Sequence, residues 1–113
     1  MQQVVDLQND AAFERLGVEV LAISPDPASA WRREGRAMGV TAPMLTDTGN
    51  SVWSQYGDAG WMMPSGEPGH TFFLVGSDGK IAWVRDYGAP ENGGAMYVEP
   101  ADIADQVEAA LER

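Results

Sequence analysis

The sequence predicts an α/β fold, a mixed sheet with helices on both faces, and three observations carry that reading. A short β-branched run, Val18-Glu19-Val20-Leu21-Ala22-Ile23, lies between two stretches of helical periodicity. Two further apolar runs, residues 71–75 and 81–85, bracket an Asp-Gly turn. A crossover separates the first strand from this hairpin, so parallel and antiparallel pairing are expected in one sheet.

Residues 4–16 place Val5, Ala12 and Leu16 on one helical face, with Val4, Leu7 and Ala11 beside them. Gly17 closes that helix, because glycine takes the left-handed C-terminal conformation without a Cβ penalty. No capping residue precedes it. The strand at 18–23 is almost continuously apolar, as expected when both faces are covered. Ser24-Pro25-Asp26-Pro27 ends it, with Asp26 placed to cap the next helix and Pro27 to fill its first turn. Ala30, Trp31, Ala37 and Met38 are that helix's apolar stripe, and Arg32, Arg33, Glu34 and Arg36 its solvated side. Gly39 stops it.

Residues 40–46 read as extended, with Pro43 marking an edge or irregular segment. Asp47 opens a short helix through Val52, Trp53 and Tyr56, stopped by Gly57. The Gly- and Pro-rich residues 58–69 read as a loop. In the hairpin, Gly79 accommodates the positive φ of the turn. Residues 88–99 form a second glycine-rich loop. Pro100 then opens a final helix, with Asp102 near its positive end and Ile103, Val107, Ala110 and Leu111 as its buried stripe. Without an internal repeat or linker, the 113 residues read as one domain.

Composition narrows the function. Apolar residues make up 44% and charged residues 21%, the mixture of a globular protein. Lys+Arg 7 against Asp+Glu 17 gives a net charge of −10. A surface this acidic repels phosphate backbones and anionic lipid, so no nucleic acid and no membrane is expected as partner. No run reaches the roughly 20 apolar residues of a membrane span, and the first residues lack the pattern of a signal peptide. A cytoplasmic protein is expected. The chain has no cysteine and one histidine. It therefore has no thiol nucleophile, disulfide or histidine pair for a metal, and no phosphate loop or dinucleotide fingerprint occurs. No metal or other cofactor is expected.

Four stretches carry a family resemblance. They are residues 17–26, which end in Ser24-Pro25-Asp26; Pro43-Met44-Leu45-Thr46-Asp47; Pro68-Gly69-His70-Thr71-Phe72-Phe73-Leu74-Val75; and Asp78-Gly79-Lys80-Ile81. In this order and spacing the chain resembles the C-terminal part of AhpC/TSA peroxiredoxins, and Arg85-Asp86-Tyr87-Gly88 with Met96-Tyr97-Val98 is similar to a subgroup of redoxin-domain proteins. The resemblance implies a thioredoxin-like mixed sheet, incomplete at the N-terminus, and thiol-dependent peroxide reduction or disulfide exchange. In that family a strand and a loop bearing the peroxidatic cysteine precede the helix with which this chain begins. The helix's positive end lowers the pKa of that thiol.

The resemblance therefore assigns no catalytic residue. It implies either that Met1 is an internal methionine of a longer cysteine-bearing protein or that the chain is a remnant without the chemistry. A thiol reductant is a partner only of the longer form. In the remnant reading the chain is an interaction domain, expected to form a homodimer through the sheet edge that the missing central strand leaves open. Pro68, Gly69, His70 and Thr71 fall, by resemblance, in the loop facing the active site. His70 is there either to contact substrate or to bond to backbone in a turn.

Two other clusters stand out. Asp47-Thr48-Gly49 is the tripeptide of aspartic proteases, whose chemistry needs two carboxylates sharing a proton. Its lead into a helical turn instead makes Asp47 a helix cap. Trp61-Met62-Met63 is an apolar cluster in the long loop, read as packing back over the core in preference to a partner surface of a dimer.

Overall fold

The structure, a computed structural model, describes residues 2–56, 70–95 and 97–112. Gly57, residues 58–69, where a loop with the Trp61-Met62-Met63 cluster is expected, and Met96 lie outside the described residues. The chain divides into two compact units, Met1–Gln55 and Tyr56–Arg113.

In the first unit the expected helix at 4–16 is two helices, α1 (Gln2–Gln8) and α2 (Ala11–Leu16). Asp10 breaks it. Its backbone is extended, and its carboxylate accepts from the N–H groups of Ala12 at 2.8 Å and Phe13 at 3.3 Å. A short acidic side chain offers the backbone this alternative to continuing a helix. The break turns the buried face, so Leu7 and Phe13 are buried while Val5, Ala12 and Leu16 are only half-buried. Gly17 closes α2 in the left-handed conformation, φ 70°.

Strands β1 (Ala22–Ser24) and β2 (Met44–Thr46) pair in parallel, with Ile23 opposite Leu45. The extended segment at 40–46 thus supplies a paired strand over its last three residues. Pro43 has no N–H, but its carbonyl accepts from Ala22 N–H at 3.0 Å and starts the pairing. Asp47 N–H closes it by donating to Ser24 C=O at 2.8 Å. Pairing this short leaves residues 18–21 outside the strand. The expected cover on both faces is also missing, for Ile23 is 55% and Leu45 43% exposed.

Between these strands runs α3 (Ala28–Met38), closed by Gly39 at φ 85°. Asp26 does not cap it. Its carboxylate instead accepts from Ser24 Oγ at 2.8 Å, and Pro27 occupies the capping position without a side-chain bond. The expected apolar stripe is mostly exposed: Trp31 is half-buried, and Ala30, Ala37 and Met38 face solvent. Gly35 is the buried position, because a Cβ there would run into Met44 Sδ. The helix approaches β2 through its one residue without a side chain. Gln8 ties the segment between them. Its Nε2 donates to Gly39 C=O at 2.8 Å, and its Oε1 accepts from Thr41 N–H at 2.7 Å and Ala42 N–H at 2.9 Å.

In the second unit β3 (Thr71–Val75) and β4 (Ile81–Asp86) form the expected antiparallel hairpin, with a bulge between Leu74 and Val75. Gly79 takes φ 81°, and Asp78 Oδ1 accepts from Lys80 N–H at 3.0 Å across the turn. The segment at 88–99 contains a 3₁₀ turn, Pro90–Asn92, pinned by Asn92 Nδ2 donating to Asp86 C=O at 2.7 Å. Helix α5 (Pro100–Leu111) buries Ile103, Ala104, Val107 and Ala110. Leu111, expected in that stripe, is 47% exposed at the helix's last residue, and Ala104 takes its place. The chain is a mixed α/β protein whose parallel and antiparallel pairings stand, among the described residues, as two two-stranded sheets rather than the single sheet expected.

Candidate functional site

Of the four residues expected in the active-site-facing loop, Pro68 and Gly69 lie outside the described residues. His70 and Thr71 are adjacent at the start of β3, and the pleat separates them. Along a strand, alternate residues share a face. His70 therefore lies with Phe72, and Thr71 points to the other side. The rings of His70 and Phe72 meet edge to face, centroids 5.1 Å apart at 90°. Thr71 Oγ1 is buried with no hydrogen-bond partner among the described residues.

The His70 face is an aromatic cluster. Phe72 meets Tyr87 edge to face at 5.6 Å, Trp83 lies 6.5 Å from Tyr87, and the Arg85 guanidinium stands 5.5 Å over the Tyr87 ring. Two backbone bonds hold the corner, as Tyr87 N–H and Gly88 N–H both donate to His70 C=O, at 2.9 and 3.2 Å. Burial lowers the His70 pKa from its ordinary 6.5, so its imidazole is neutral at pH 7. Burial raises that of Tyr87 and keeps its phenol protonated, with Arg85 opposing and Asp102 adding to the shift. His70 and Tyr87 can stack and hydrogen-bond as neutral groups beside the charged Arg85. The sequence marks Tyr87 only as part of the Arg85-Asp86-Tyr87-Gly88 stretch; the signal that places it on this face is the period-2 alternation of His70, Phe72 and Leu74 opposite Trp83, Arg85 and Tyr87.

Asp47, in the first unit, is 5% exposed and works as a cap, though not of the helix turn it directly precedes. A 3₁₀ turn, Thr48–Asn50, intervenes before α4 (Ser51–Gln55). Across that turn the Asp47 carboxylate accepts from the N–H groups of Val52 at 2.8 Å and Trp53 at 2.9 Å, and from Ser51 Oγ at 3.2 Å. Those bonds hold its pKa below the ordinary 3.8, against the opposing effect of burial. A carboxylate that must share a proton with a partner needs the reverse shift in one member of the pair. Among the described residues no three His, Cys, Asp or Glu side chains gather to hold a metal ion, and no helix is long and apolar enough to cross a membrane.

The βαβ unit of β1, α3 and β2 and the antiparallel hairpin with α5 are the parts of a thioredoxin-like α/β protein. The chain belongs to the AhpC/TSA family, whose model matches residues 2–84. The match takes in both units and ends within β4. No curated protein and no solved structure matches the chain.

Proposed function

We propose that the chain is a redoxin domain of the peroxiredoxin kind that carries no nucleophile of its own. The reaction to which it belongs is thiol-dependent peroxide reduction or disulfide exchange, and the chain alone does not perform it. The observation that supports this reading is the family match over residues 2–84 in a sequence without cysteine. Attack on a peroxide O–O bond in this class uses a thiolate. The neutral His70 and protonated Tyr87 offer hydrogen bonds and no substitute for it. The test is peroxide consumption by the 113-residue chain with a dithiol reductant in excess. The expected rate equals that of the reductant alone, and turnover above it overturns the reading.

A second reading is that the chain associates with itself through the β1–β2 sheet. The cross-strand pair Ile23 and Leu45 is exposed, with Leu21 beside it at 56%, and an exposed apolar sheet face is an association surface. Light scattering distinguishes the two. A dimer that Ile23→Glu converts to a folded monomer supports association, and a wild-type monomer at high concentration rejects it.

A further inference from the structure

Helix α3 holds three of the chain's 7 lysines and arginines, Arg32, Arg33 and Arg36, in a chain of net charge −10. Arg32 and Arg36 are four residues apart, so they lie one above the other on the helix surface. Like charges so placed repel each other, and among the described residues no carboxylate forms an ion pair with either. The same face includes Gly35, three residues after Arg32. There the helix has no side chain, and the Met44 thioether packs where a Cβ would stand. Met44 fills that space, and beside it the surface dips into a shallow hollow that is open to solvent. The hollow has a volume of about 200 Å³ and is lined by Arg32, Arg36, Val40, Ala42 and Met44. Its wall is held by a tether, since Gln8 bonds the backbone of Gly39, Thr41 and Ala42.

We propose that this hollow binds a small amphipathic carboxylate, a monoanion with a short apolar tail. The guanidiniums of Arg32 and Arg36 take the carboxylate, whose planar oxygens match their forked donors. The tail lies on Val40, Ala42 and Met44. Three features select this class. The apolar floor offers nothing to a bare inorganic anion. The acidic chain repels a polyanion more strongly than a monoanion. The volume falls below the roughly 300 Å³ at which pockets for drug-sized ligands begin, so only the first few carbons of a tail find cover in it.

The test is an amide-resolved NMR titration of the full chain with hexanoate, set beside acetate, hexanol and inorganic phosphate. Hexanoate is expected to shift the amides of Val40, Ala42 and Met44 saturably, and more tightly than the other three. Arg32→Gln and Arg36→Gln, both at exposed positions, are each expected to weaken hexanoate binding by about threefold to tenfold. Arg33→Gln makes the same charge change outside the hollow and is expected to leave binding unchanged. Gly35→Ala keeps both arginines and forces Met44 to move, and is expected to weaken hexanoate while the helix is retained. Equal binding of hexanol or acetate overturns the amphipathic site. Phosphate binding as tight as hexanoate shows a bare anion patch and also overturns it, as does an Arg33→Gln loss equal to that of Arg32→Gln.

Discussion

Gln8 Oε1 accepts a hydrogen bond from Ala42 N–H at 2.9 Å across 34 residues of sequence. With its bonds to Thr41 and Gly39, one amide side chain satisfies three backbone groups where the chain leaves α3 for β2. These groups are partly solvated, so each bond is worth the lower part of the usual 0.5–1.5 kcal/mol. Gln8→Ala is expected to cost about 1–2 kcal/mol in denaturant unfolding. It should also speed hydrogen exchange at the Thr41 and Ala42 amides specifically. Gln8→Glu keeps both acceptor bonds but turns a carboxylate oxygen toward the Gly39 carbonyl, so exchange at Thr41 and Ala42 should stay near wild type while part of the stability is lost. Uniform acceleration over the whole unit would show that Gln8 acts through α1 rather than through this tether.

Asp10 makes the helix break, and its removal has a separate signature. Helix α2 is six residues long, too short to persist without a cap or tertiary contacts. Asp10→Ala is expected to cost about 1 kcal/mol, the usual worth of a capping side chain. Asp10→Asn or Asp10→Ser, which can also cap, should restore most of it. Thermal unfolding of the three variants checks this, and equal losses in all three would assign the effect to charge rather than capping.

The same kind of bond gives Asp47 a pH dependence. Its folded pKa is lowered by the N–H groups of Val52 and Trp53, so on acidification the unfolded chain binds the proton first. The stabilisation is complete above the ordinary value of 3.8 and disappears as pH falls through the folded value. Asp47→Asn is expected to melt below wild type at pH 7, and the difference between the two should shrink as pH drops below 3.8. A difference that holds constant across that range would mean the charge of Asp47 contributes nothing to the fold.

The residues that were legible in the sequence are those whose roles are local. Gly17, Gly39 and Gly79 each sit at the positive φ their positions required. The hairpin followed from its own alternation and its Asp-Gly turn. Asp47 capped as its place before a helical turn implied, although it skipped one turn to do so. Long-range packing was not legible. Burial on α3 fell on Gly35 instead of Trp31 because the partner, Met44, meets backbone and not a side-chain stripe. Gln8 read as an ordinary helix residue, since its partners lie more than 30 residues away. The aromatic face around His70 was hidden for another reason. It is built from two strands, and only the hairpin register brings Tyr87 beside Phe72.

His70 gives the most direct check on that face, because it is the chain's one histidine and its imidazole resonance needs no assignment by mutation. Burial against Phe72 disfavours the charged ring, so the NMR titration midpoint is expected below 6.5. The sign for stability follows. Above 6.5 both folded and unfolded histidine are neutral, and nothing depends on pH. As pH falls below 6.5 the unfolded chain binds the proton first, and stability declines until the folded ring also titrates. His70→Gln should flatten that part of the stability profile. Phe72→Ala opens one side of the ring to water and should move the midpoint back up toward 6.5. A wild-type midpoint at or above 6.5 would mean that water reaches the ring and that His70 is not part of the aromatic face.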